Sequence, residues 1–138
     1  MTDFSEQQKQ LKIQQGIRKV EDELVKAIQT VLNDKTSYDK LEESQFRNLV
    51  RVADTTESVE VIKNFLLYQL GRDKKWGKGK NSLAHKIINN IDDEIKTLAK
   101  EIKTTSDADE LNPIWIELIR RYLGYGARYL VYKNKGEV

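Results

Sequence analysis

An all-α fold follows from three observations. Every long segment of the 138-residue chain repeats its apolar residues at intervals of three and four, there is a single proline, and β-branched residues do not gather into strand-like runs. A chain of this length buries one core, so residues 1–138 are expected to form a single-domain bundle of about five helices joined by short polar connectors.

In the first segment Ile13, Ile17, Val20, Leu24, Ile28 and Val31 step by four, three, four, four and three. Lys12, Arg18, Lys19, Glu21 and Glu23 fall on the other faces, which predicts one long amphipathic helix over about residues 5–33. Its start, to about residue 10, is expected to fray: Phe4 and Leu11 sit off the stripe, and Gly16 costs about 1 kcal/mol relative to alanine inside a helix. Asn33 to Asp39 reads as a polar connector. Leu41, Phe46, Leu49, Val50 and Ala53 then predict a second helix ending near Asp54. Arg47 and Arg51 stand one turn apart on its outer face, either free or paired with Glu42, Glu43 or Glu57.

Thr56 or Ser58 can cap a third helix. Val59, Ile62, Leu66 and Leu70 form its buried stripe, which Phe65, Leu67 and Tyr68 widen beyond a surface helix's needs, so it is expected to be the central one. Gly71 is placed to end it in a left-handed cap. Beyond it Arg72, Lys74, Lys75, Lys78 and Lys80 face Asp73 alone, and residues 73–80 are expected to be a mobile, glycine-rich basic loop with Trp76 in its middle. Asn81 or Ser82 caps the fourth helix, whose stripe is Ala84, Ile88, Ile91, Ile95, Leu98 and Ile102. Residues 104–111 read as a linker. Asn112 followed by Pro113 starts the last helix, which reaches about Tyr132. Trp115 and Tyr122 are assigned to the core, and Gly124 and Gly126 to close packing or the approach of a partner backbone. Tyr125, Tyr129 and Tyr132 suit either burial or stacking on unpaired bases.

Charge is segregated although the net value is only +2. Residues 34–57 carry six acids against four bases, whereas residues 120–135 carry Arg120, Arg121, Arg128, Lys133 and Lys135 and no acid. A polyanion is therefore a plausible partner for a local face, the pI of 8.7 being below the roughly 9 of domains that bind nucleic acid with their whole surface. Without a run of about 18 apolar residues or a signal-peptide pattern at the N-terminus, the expectation is a cytoplasmic protein with no membrane partner. The absence of cysteine and the single histidine exclude a disulfide framework and the usual zinc clusters, so no metal and no cofactor is expected.

Catalytic motifs are few. Gly71, Gly77 and Gly79 follow a helix, and Gly79-Lys80 is followed by Asn81, so the phosphate-binding loop of nucleotide hydrolases is not present. Asp92, Asp93 and Glu94 read as solvated charges beside Lys96. Lys80-Asn81-Ser82-Leu83-Ala84-His85 resembles the R-N-x-x-x-H signature of HEPN ribonucleases over six residues, with lysine in place of the arginine that would grip a phosphate at two points. A HEPN-like ribonuclease using Lys80 and His85 is thus one alternative, and a helical protein–protein interaction module is another.

Three segments carry a wider resemblance: Ser44-Gln45-Phe46-Arg47-Asn48-Leu49, then Phe65-Leu66-Leu67-Tyr68-Gln69-Leu70-Gly71-Arg72-Asp73, then Arg121-Tyr122 followed by an aromatic helix ending at Tyr129 to Lys135. In order and spacing they resemble the small helical subunit of type III-A CRISPR effector complexes, the Csm-type small subunit, over about residues 41–135. The resemblance implies a non-catalytic subunit in antiviral defence that stacks in several copies along a crRNA-guided complex. Its partners would be crRNA and single-stranded target RNA, the large polymerase-like subunit and the backbone subunits. Arg47, Arg72 and Arg121 are carried over as contacts to RNA backbone, and Arg51 joins Arg47 by its spacing. Arg128 in the acid-free C-terminal segment is a further candidate, and Lys74, Lys75, Lys78 and Lys80 would add phosphate contacts, with Trp76 stacking on a base. Such contacts accept any sequence, which suits a complex whose guide does the reading.

Overall fold

A computed structural model describes residues 2–137, and these are helical nearly throughout, with no strand among them. Among the described residues there are seven α-helices: α1 Thr2–Lys19, α2 Glu21–Asn33, α3 Glu43–Thr55, α4 Val59–Arg72, α5 Leu83–Asn90, α6 Lys96–Ser106 and α7 Asn112–Val131. A π-helical turn, Ile91–Ile95, joins α5 to α6 into one rod, and another, Tyr132–Gly136, extends α7. The expected all-α bundle is thus observed, with the first and fourth predicted helices each divided in two.

The first division lies at Val20, whose φ of −103° and ψ of 2° leave the helical region. Gly16 lies against α6, where a Cβ would stand 3.1 Å from Ile102, so the glycine that weakens the helix also permits its close crossing. α1 runs from Thr2, and Phe4 and Leu11 lie exposed on it. The second division is the wider turn after Asn90. At its head the indole N–H of Trp115 donates to the Ile91 carbonyl at 2.9 Å, and Lys96 from the same rod sits 4.8 Å over the Trp115 ring.

At the centre stands α7 rather than the expected α4. α2 lies parallel to α7, with Glu21 beside Arg121, Ile28 against Gly126 and Asn33 beside Tyr129. α3 lies antiparallel to it, with Ala53 level with Arg120, Phe46 with Gly126 and Leu41 with Asn134. A Cβ on Gly126 would meet both Ile28 and Phe46 at 2.7 Å, so only glycine lets three helices meet here. On the far side the buried Tyr122 hydroxyl accepts from Asn90 at 2.7 Å, and burial pushes its pKa up. α4 packs on α3 and α5 and turns Val61, Leu67 and Tyr68 outward, so of the three residues that widened its stripe in the sequence only Phe65 packs, half-buried, against the core. Nor does Gly71 end α4: the helix continues to Arg72 and stops at extended Asp73, whose carboxylate accepts from Lys75 N at 3.0 Å. Ser58 and Ser82 cap α4 and α5 as expected, accepting from Val61 N and His85 N. At α7 the capping position is Leu111 rather than Asn112, and the Asn112 side chain donates instead to the Glu57 carbonyl at 2.9 Å.

Candidate functional site

Phe46, Leu49 and Ala53 turn one face of α3 into the core, which obliges Arg47 and Arg51 to face outward. Among the described residues neither pairs with an acid. The three carboxylates that the sequence offered them are engaged elsewhere: Glu42 by Lys75, Glu43 by Lys135 at 3.3 Å and Glu57 by Arg120 at 3.6 Å. Arg51 Nη1 donates to Asn48 Oδ1 at 3.0 Å, an uncharged tether that leaves its positive charge unneutralised.

Across from Arg51, α4 buries Ile62, Leu66 and Gln69 and exposes Tyr68 and Arg72. The Arg72 guanidinium lies 5.9 Å from the Tyr68 ring centre. Between the two helices is a groove of about 420 Å³ whose walls include Asn48, Arg51, Phe65, Tyr68, Gln69 and Arg72. Arg51 and Arg72, far apart in sequence, therefore share one concavity.

Beyond Arg72 the chain is folded rather than open loop, with 3-10 turns at Lys74–Trp76 and Gly79–Asn81. Trp76 is fully buried and stacks on Phe46, ring centres 5.9 Å apart and planes 23° from parallel. It is a core residue, and the expected role of stacking on a base is corrected. Its indole N–H has no acceptor among the described residues. The turn is further fixed by Asp39 N donating to the Lys75 carbonyl at 3.1 Å. At Gly77, φ is 95° and a Cβ would stand 2.1 Å from the Ser37 carbonyl oxygen, so no side chain is admitted. Burying Trp76 turns its neighbours outward: Lys74, Lys78 and Lys80 are exposed with no acid partner among the described residues, while Lys75 is held by Glu42. Lys86 of α5 ties the preceding connector down through Asp34, whose pKa this pairing, with help from Thr36, lowers to about 2.

The C-terminal candidates divide. Arg121 is half-buried, donating to Glu117 at 2.9 Å and Glu21 at 3.2 Å, and the Glu117 carboxylate holds its pKa up. Its neighbour Arg120 donates to the carbonyls of Ala53 and Thr56, both at 2.9 Å, closing the end of α3. Arg121 is therefore separated from Arg47 and Arg72 and engaged within the fold, whereas Arg128 is exposed on α7 with no described acid partner. Tyr125 and Tyr129 are partly buried and hydrogen-bonded to Glu21 and Asn33, and Tyr132 is exposed beside Tyr129.

These placements gather positive charge at the end where α2, α4 and α7 finish and α3 and α5 begin. The segments there, residues 34–51, 72–86 and 128–137, carry thirteen Lys and Arg against six Asp and Glu, while the rest of the chain carries eleven against sixteen. The charge segregation visible along the sequence becomes a basic end and an acidic remainder. Sequence reasoning missed Tyr68, Gln69 and Asn48 as parts of the groove. The available signal was Gln69 itself, a polar residue three after Leu66 on the buried stripe. Of the ribonuclease candidates, Lys80 lies on a 3-10 turn and His85 is half-buried in the first turn of α5. No group of three or more potential metal ligands occurs among the described residues, and no helix there is long and apolar enough to cross a membrane. Comparison with protein-family models, with curated proteins and with solved structures returns no match.

Proposed function

We propose that this chain is a non-catalytic RNA-binding subunit of the kind its three segments resemble, the small subunit of a type III CRISPR effector complex. It grips RNA backbone without sequence preference through its basic end. The observation that carries the reading is that Arg47, Arg51, Arg72, Lys74, Lys78 and Lys80 are exposed at one end of the bundle with no acid partner among the described residues, so their charge is available to phosphates. Two of them, Arg47 and Arg72, stand in the segments that carry the resemblance. The third arginine that it implied, Arg121, is left out of the proposed interface because two carboxylates engage it. Arg128 extends the interface along α7. The acidic remainder supports assembly in which one copy's basic end meets acidic surface on the next copy or on a backbone or polymerase-like subunit, in the cytoplasm.

Single-stranded RNA binding over a salt series tests this reading. Wild type is expected to bind intact RNA with an affinity that falls steeply with salt, and an Arg47→Ala/Arg51→Ala/Arg72→Ala variant to lose most of that binding while keeping its helical content. For single strands the slope of log K against log salt falls by about 0.7 for each lost phosphate contact, so the triple variant should be shallower by about 2. Binding equal to wild type would overturn the interface, and cleavage abolished by His85→Ala would replace the proposal with the ribonuclease reading. No interaction with RNA at any salt would leave the protein-interaction module.

A further inference from the structure

The groove between α3 and α4 holds a group that phosphate binding does not explain. Gln69 is only 7% exposed, and its side-chain amide makes no hydrogen bond among the described residues, although it borders the groove. The Trp76 indole N–H is the one fully buried side-chain group left without a partner among the described residues, so the Gln69 amide keeps contact with solvent at the groove, where its donor and acceptor are open to a polar ligand. Around it stand two aromatic rings, Phe65 and Tyr68, with centres 6.5 Å apart, and Tyr68 is 57% exposed although it is a large aromatic. Arg51 and Arg72 flank the rings. The volume of about 420 Å³ lies within the range of small-ligand sites.

We propose that this groove seats one unpaired nucleotide of a bound RNA strand, with its base against Tyr68 and Phe65, the base edge on the Gln69 amide and the flanking phosphates between Arg51 and Arg72. The proposal deepens the RNA-binding reading and rests on it. An acidic peptide would satisfy the arginines alone. A base brings an apolar face for the rings and an edge with donors and acceptors for the amide, whose own donor and acceptor lie side by side. The nucleotide must be unpaired, because a base inside a duplex has both faces covered by its neighbours. Stacking tolerates every base, and one amide can rotate to meet different edges, so the seat fixes the strand without choosing its sequence.

The test compares an oligouridine with an oligomer of equal length and charge lacking its bases, both titrated into the full chain. Wild type is expected to bind the oligouridine at least tenfold tighter, in line with base–aromatic stacking. Tyr68→Ala should reduce the intact oligomer to the level of the abasic one without changing the salt slope, and Tyr68→Phe should restore the preference. Gln69→Leu should weaken the preference while keeping the helical content and the salt slope of wild type. Equal, salt-sensitive binding of both oligomers by wild type would overturn the nucleotide seat and leave the backbone-binding reading intact. Failure to bind either would overturn both. A preference that survives Tyr68→Ala and Gln69→Leu would place the base elsewhere and sink the assignment to this groove.

Discussion

Two basic segments, residues 72–80 and residues 120–135, carry the same number of Lys and Arg, five each, yet the fold uses them in opposite ways. In the first, Trp76 is drawn into the core and its neighbours are turned out, so Arg72, Lys74, Lys78 and Lys80 keep their charge free of acids among the described residues. In the second, Arg120 closes the end of α3, Arg121 joins two glutamates, and Lys133 and Lys135 reach Glu137 and Glu43. Only Arg128 is left without a described acid. The number of basic residues is thus the same in both, whereas availability depends on which acids and carbonyls the packing brings within reach.

The largest effect expected from breaking this contrast is at Trp76. Trp76→Ala removes a fully buried indole stacked on Phe46 and should cost about 3–5 kcal/mol by urea denaturation, with Trp76→Phe recovering much of it. A variant that kept its stability and lost RNA affinity instead would return Trp76 to the surface role that the sequence suggested. Next in size is Arg120→Ala, which deprives two carbonyls at the end of α3 of their donor and should cost about 1–3 kcal/mol. Arg120→Lys should recover only part, because one ammonium cannot reproduce the guanidinium fork. RNA affinity measured beside stability should change little in either arginine variant.

Most of the fold was legible because its signals are local. Helical spacing and the caps at Ser58 and Ser82 each depend on a few neighbouring residues, and they predict the right elements. What escaped depends on distant partners. The break at Val20 accompanies a close crossing of Gly16 with Ile102, and the fate of Arg121 is decided by Glu21, 100 residues away. α4 looked central because Leu67 and Tyr68 are apolar, yet composition does not say which way a side chain turns once two other helices have claimed the opposite face. The candidate site was legible by halves: Arg47 and Arg51 are exposed because α3's stripe is unambiguous, whereas their meeting with Arg72 and Gln69 across a groove needs the packing angle of α3 on α4.

Smaller effects sharpen the same contrast. Lys74→Ala/Lys78→Ala/Lys80→Ala should leave stability within about 0.5 kcal/mol, as for other exposed positions, and lower the salt slope of RNA binding by about 2 if all three meet phosphate. Arg121→Ala should do the reverse. Its ion pairs are partly exposed and screened, so their loss is expected to cost about 0.5–1 kcal/mol while RNA affinity and slope stay at the wild-type value. If Arg121→Ala weakens RNA binding as strongly as the triple lysine variant, the division between the two segments fails.

The subtlest expected effect concerns the foundation of the first segment, the connector that Asp34 ties to Lys86. The Asp34 carboxylate titrates at about 2 in the folded chain, below its ordinary 3.8, because Lys86 and then Thr36 stabilise the charged form. A lowered folded value means that the ion contributes stability fully above pH 3.8, and that this contribution fades as pH falls toward 2. Asp34→Asn should therefore be less stable than wild type at neutral pH, with the difference shrinking through the window from about 4 to 2 in thermal denaturation. The connector packs against the basic turns at Gly77 and Lys75, so Asp34→Asn should also speed amide exchange at Lys75 and Gly77 more than at Arg120 or Arg121. A stability difference that stays constant down to pH 2, or exchange that rises equally in both segments, would show that the Asp34–Lys86 pair does not hold this end of the bundle in place.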